Sequence, residues 1–161
     1  VRNGWFHTGD LGQFVNKRFL KISGRIKEMF KTTSGRYIVP ERIENLLDAS
    51  PLIEHSFVFG DGKAYVAALI VPAFHELKDW SLSQNVHWTA PQYMVLNPRV
   101  ETVFQKLIDE INQELKSEEQ IRKFHLAHDQ WTVETGELTP TQKIKRKFLR
   151  SKYQKEMSAL Y

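Results

Sequence analysis

"IEHSFVFGDGKAYVAALIVP", Ile53 to Pro72, holds two runs of strand-forming residues on either side of Asp61-Gly62. That dipeptide supplies the positive φ angles of a tight hairpin, so the stretch predicts two paired strands, IEHSFVFG and AYVAALIVP. Beyond Pro72, AFHELKDWSL predicts a short helix, and the polar, aperiodic segment from Ser83 to Asn97 predicts a surface loop. Asn97-Pro98 then caps the clearest helix in the chain, with Val100, Val103, Phe104, Leu107, Ile108, Ile111 and Leu115 at three- and four-residue steps. Its apolar face needs a sheet to pack on. KFHLAHDQWTV, Lys123 to Val133, predicts one more strand, Gly136 to Gln142 a loop, and Leu149, Tyr153, Met157 and Leu160 one final amphipathic helix.

Working towards the N-terminus, Pro40 opens a helix with Ile43, Leu46 and Leu47 on one face, ended by Ser50-Pro51. GRIKEMFKTTSGRYIVP, Gly24 to Pro40, reads as a connector outside the core, with a small polar loop at Thr32 to Gly35. QFVNKRFLKI, Gln13 to Ile22, reads as a hairpin around Asn16-Lys17-Arg18. The order predicts an α+β domain: a small mixed sheet flanked by helices, preceded by a β-hairpin on a flexible link.

Composition narrows the function classes. The 161 residues are 41 % apolar and 26 % charged, the balance of a globular chain with its own core. There is no cysteine, which excludes disulfides, thiolate zinc sites and a cysteine nucleophile, and suits a reducing cytosol. The longest apolar run, Ala64 to Phe74, is too short to cross a bilayer. The chain begins at Val1 without a basic-then-apolar leader, so the expectation is an excised piece of a longer protein. A net charge of +4 is unevenly placed, with seven Lys or Arg and no acid between Pro140 and Lys155. An anion is expected at that end.

Three islands carry candidate chemistry: Thr8-Gly9-Asp10, the run from Gly24 to Pro40, and GELTPTQKIKR from Gly136 to Arg146. The Asp10 carboxylate could accept hydrogen bonds from two neighbouring hydroxyls, as on a ribose, with Gly9 allowing close approach. Taken alone, Asp10 reads first as an acid capping its own turn. Lys143 follows Thr139-Pro140-Thr141 on a loop, from which its ammonium could reach into a cleft and stabilise developing negative charge. The competing reading makes Lys143, Lys145, Arg146, Lys147 and Arg150 the solvated start of a helix. The same cations with Phe148 and Tyr153 could hold a nucleic-acid backbone, but the run is short and the aromatics fall at core spacing. His125 and His128 would face opposite sides of a strand, so no metal site is expected there. TTSGR lacks the second glycine and the Gly-Lys ending of a phosphate-binding loop.

Taken in order, GWFHTGDLG, LKISGRIKEMFK, then Gly35 and IVPERIE, and finally TPTQKIKR resemble the C-terminal end of the AMP-forming acyl-CoA synthetase superfamily, which includes acyl- and aryl-CoA ligases, luciferase and peptide-synthetase adenylation domains. The strings span Gly4 to Arg146. ELTPTQKIKRKFL and the insertion around the Val100 helix look most like the long-chain fatty acid branch, since short-chain relatives usually carry a glycine before the lysine.

The resemblance implies roles by position. Asp10 would bind the ribose hydroxyls of ATP and AMP, and Arg25 would also approach the nucleotide. Lys27 falls at the hinge, making residues 1–26 the trailing segment and hairpin of a large N-terminal domain and 27–161 a mobile C-terminal domain. Lys143 would support adenylation by bridging the carboxylate and α-phosphate oxygens, Arg146 would be structural, and Gly35 would face the pantetheine of CoA. Activation of a fatty carboxylate by ATP followed by thioester formation with CoA is the implied reaction. Mg2+ would be bound mainly by the N-terminal domain, which is also the implied partner and carries the acyl tunnel. The fragment alone would be inactive. The protein would be cytoplasmic, with peripheral membrane contact and no nucleic-acid partner. Departures are the Asn16-Lys17-Arg18 turn, where relatives often have Asp-Gly, and a loop before Gly35 one residue longer than in many relatives. Other acyl- or aryl-CoA ligases, and a non-enzymatic basic module binding nucleic acid or an anionic membrane, are the alternatives.

Overall fold

The computed structural model describes residues 4–161; the first three residues of the 1–26 segment lie outside the described residues. Its centre is a three-stranded mixed sheet. Strands β5 (Ile53–Phe59) and β6 (Val66–Pro72) pair antiparallel, and β7 (Ile121–Leu126) lies parallel to β6 on its other side. Every residue of β6 is buried. A central strand covered on both faces tolerates no polar alternation, which is why its sequence is a continuous apolar run.

A parallel step needs a long crossover, supplied by α2 (Phe74–Ser83), α3 (Pro91–Met94) and α4 (Pro98–Glu114). In α4 the Asn97 side chain accepts a hydrogen bond from the Arg99 amide at 2.9 Å, and Val100, Phe104 and Ile108 are buried one turn apart. At its far end, Asn112 donates to the Ile121 carbonyl and accepts from the Ile121 amide, at 2.9 and 2.8 Å. This pair of hydrogen bonds fixes where β7 begins, two residues before the Lys123 start expected from sequence, and the strand ends at Leu126, not Val133. Trp131, beyond that end, still enters the core and donates its indole N–H to the Tyr153 hydroxyl at 3.0 Å.

Helix α1 (Pro40–Leu47) buries Pro40, Ile43, Glu44 and Leu47 against β5. The leading hairpin, β1 (Asp10–Val15) with β2 (Phe19–Arg25), turns at Asn16 and Lys17, both at positive φ (52° and 56°). Two such residues close the tight hairpin that Asp-Gly would otherwise make. At Gly24 (φ 153°) the hairpin comes so close to α1 that a Cβ would lie 2.5 Å from Val39 Cγ1.

Other expectations are corrected. The turn at Asp61-Gly62 is a six-residue connection, 60–65, because Gly62 donates to the Lys31 carbonyl and Thr33 to that of Lys63 instead of closing the strands directly. Those bonds belong to the segment read as a connector. It holds the two-residue strands β3 (Phe30–Lys31) and β4 (Tyr37–Ile38), and Phe30 and Ile38 are buried in the core. The surface loop from Ser83 to Asn97 contains α3 and buries Val86 and Met94. The single final helix is two, α5 (Arg146–Lys152) and α6 (Gln154–Ala159), broken where Tyr153 turns in towards Trp131.

Candidate active site

Lys143 sits in a tight loop before α5. Leu138 and Ile144 form an antiparallel bridge; the amide of Thr139 donates to the Lys143 carbonyl at 2.8 Å, and the Lys143 amide to the Thr139 hydroxyl at 3.1 Å. Gln142 takes a positive φ of 60° to complete the reversal. Backbone bonds therefore hold the loop and leave the side chain exposed. The Lys143 ammonium forms no ion pair with the described residues.

The loop borders a cleft of about 200 Å³ against α1 and β5. Arg25 lines the same cleft, and Asp10 reaches towards it through Arg25, 3.5 Å away across the β1–β2 register. Both side chains remain partly exposed. Among the described residues the Asp10 carboxylate accepts no hydrogen bond from its own turn; the Thr8 hydroxyl accepts the Asp10 amide at 3.2 Å. Asp48 also lines the cleft. Although much of this residue faces solvent, burial pushes its carboxyl up to about 6, against the hydrogen bond donated by the Ser56 hydroxyl.

Lys27 and Gly35 stand apart from this cleft. Lys27 lies in the 3-10 turn Ile26–Glu28 between the hairpin and the rest of the chain. Gly35 (φ 81°) closes the turn Thr32–Gly35, which leans on the 60–65 connection, and the space beside its Cα is open except for the Lys31 stem. Asp10, Arg25 and Lys143 are thus gathered, and Lys27 and Gly35 are not. His125 lies on β7, and His128 follows it beside Asp129 at 3.3 Å.

Sequence reasoning gave Arg146 a structural role but missed the partners through which it holds the loop in place. Arg146 forks onto Glu44 of α1, reaches Glu28 at 3.1 Å, and stacks 5.5 Å from the Phe57 ring centre. Glu44 also accepts the Val58 amide at 2.8 Å. Burial pushes the Glu44 carboxyl up, against the pull of Arg146 and the Val58 amide. Burial works to lower the Arg146 guanidinium, but Glu44 and then Glu28 prevail and hold it charged. A signal was available: Glu44 falls on the same helical stripe as Pro40 and Leu47, and a carboxylate there needs a buried cation.

This lobe of sheet and helices, with its lysine loop clamped to α1, is of the kind found at the C-terminus of AMP-binding enzymes. A family profile described as the AMP-binding enzyme C-terminal domain matches residues 28–161, and the chain belongs to that family. More narrowly, its relatives are long-chain fatty acid CoA ligases. Long-chain-fatty-acid–CoA ligase of Mycobacterium tuberculosis is 34 % identical over 160 residues, 99 % of this chain and 27 % of that protein. Long-chain-fatty-acid–CoA ligase 6 of Homo sapiens is 32 % identical over 162 residues, 99 % of this chain and 23 % of that protein. The chain thus spans about a quarter of the length of these relatives. Among solved structures, the adenylation domain of a carboxylate reductase from Mycobacterium chelonae superposes with a TM-score of 0.78 at 26 % identity, over 100 % of this chain and 24 % of that one.

Proposed function

We propose that this chain is the C-terminal part of a long-chain fatty acid CoA ligase, in which residues 27–161 form a mobile lobe and residues 1–26 end the large domain before it. The reading rests on the family membership of the chain and on relatives that are long-chain ligases. The observation that carries the site is the exposed Lys143 ammonium, held by backbone bonds on the cleft that Arg25 also lines.

In the first half-reaction a fatty carboxylate oxygen attacks the α-phosphorus of ATP, and pyrophosphate leaves with the electron pair of the broken P–O bond. Lys143 bridges the attacking carboxylate and the α-phosphate, stabilising charge that grows in the transition state. Asp10 accepts hydrogen bonds from the ribose hydroxyls while Arg25 neutralises nearby charge. Lys27 is the hinge about which the lobe rotates, withdrawing Lys143 and presenting the Gly35 turn to the pantetheine of CoA. The CoA thiol, losing its proton, then attacks the acyl carbon and AMP departs. Mg2+ is held in the large domain, which also supplies the acyl tunnel, so the isolated chain is inactive. Among the described residues no helix is long and apolar enough to cross a membrane.

Fatty-acid-dependent exchange of pyrophosphate into ATP by the full-length protein tests this. Lys143→Ala should lower the exchange rate by roughly 10²–10³-fold, the loss expected on removing one preorganised electrostatic stabiliser. Unchanged exchange would remove Lys143 from the site.

A further inference from the structure

A second groove, of about 540 Å³, shares Glu28, Ile144 and Arg146 with the cleft and is lined in addition by four further cations, by Met29 and Phe30, and by Asp61. Lys27, Lys145, Lys147 and Arg150 all border it and are exposed, and none is ion-paired with the described residues. Arg146 is already engaged by Glu28 and Glu44. Asp61 is the remaining carboxylate among the lining residues, so four cations without an ion-pair partner among the described residues face one acid, Arg150 with its guanidinium 5.8 Å from the Phe57 ring centre. Phe30 and Met29 give the groove an apolar side.

Like charges held together without counterions repel one another, and a multivalent anion relieves that repulsion at all four positions at once. Lysines act there as point charges, and a guanidinium such as that of Arg150 can grip two oxygens of one phosphate. An apolar wall beside them suits a ligand with a charged head and an uncharged body. We propose that this groove is a binding site for phosphate groups carrying two or more negative charges, with Lys145, Lys147 and Arg150 as the binding cations. Soluble diphosphates and phosphomonoester lipid headgroups share that chemistry. The site is independent of the role given to Lys143, which does not line it.

The test uses this chain at low salt, titrated with inorganic pyrophosphate in one arm and co-sedimented with phosphatidylcholine vesicles containing phosphatidic acid in the other. Binding is expected in at least one arm, and the arm in which it occurs identifies the source. The double variant Lys145→Ala/Lys147→Ala should weaken it roughly 25-fold, about fivefold per cation, the Coulomb attraction of a unit charge at about 4 Å in water. Lys147→Glu alone should weaken it further than the loss of one cation. Lys78→Ala/Lys106→Ala removes the same charge from exposed positions on α2 and α4 and should leave binding unchanged. Absence of binding in both arms, or equal weakening by the Lys78/Lys106 variant, would overturn the proposal.

Discussion

Glu44 and Arg146 show how one buried pair fixes the loop that carries Lys143. Arg146→Met would strand the Glu44 carboxylate in the core, and stability should fall by about 3–5 kcal/mol. Adding Glu44→Gln removes the charge and should recover part of that loss, which a double-mutant cycle followed by urea unfolding measures. Additive losses would mean that the two groups do not act as a pair. Lys143 and Arg146 were singled out because TPTQKIKR is a contiguous string, whereas Glu44 lies 102 positions from its partner. A sequence displays spacing along the chain, and a partner that far away becomes visible only as a carboxylate in the wrong place on an apolar stripe.

Elements follow the same logic at larger scale. Helix α4 was readable because its caps and apolar stripe are local, and Asn97→Ala should destabilise the fold by about 1 kcal/mol in thermal melts. The break between α5 and α6 was not, since it depends on Tyr153 meeting Trp131, two residues from different segments. Just before α5, burial works against the Glu137 carboxylate, but Lys152 at 2.7 Å and the Thr135 hydroxyl outweigh it and hold the group below its usual range. Because the unfolded chain takes up this proton first, the tie stabilises the fold near neutrality and is lost as pH falls from the ordinary glutamate value through the depressed one. Lys152→Met should therefore lower stability at neutral pH and flatten its fall in acid, as pH-dependent urea unfolding would record. An unchanged acid slope would count against the tie.

For the whole molecule, the leading hairpin is the part least able to stand alone. Trp5 and Phe6 are each 75 % exposed, and Phe14, Leu20 and Ile22 share one exposed face of β1 and β2. Such contiguous apolar surface marks an interface, here the one proposed with the large domain. The isolated chain should bind an apolar dye there, and Leu20→Ser/Ile22→Ser should reduce that fluorescence; an unchanged signal would place the sticky surface elsewhere. Sequence order showed the leading hairpin, β5, β6, β7, α1, α2 and α4 but not β3, β4, α3 or the break between α5 and α6, and the large domain proposed to cover the hairpin lies in no residue of the chain. Conversion of a pre-made acyl-adenylate to the CoA thioester by the full-length Lys143→Ala protein is the most direct test. The account predicts that this step survives while adenylate formation from ATP is lost. Equal loss of both steps would contradict it.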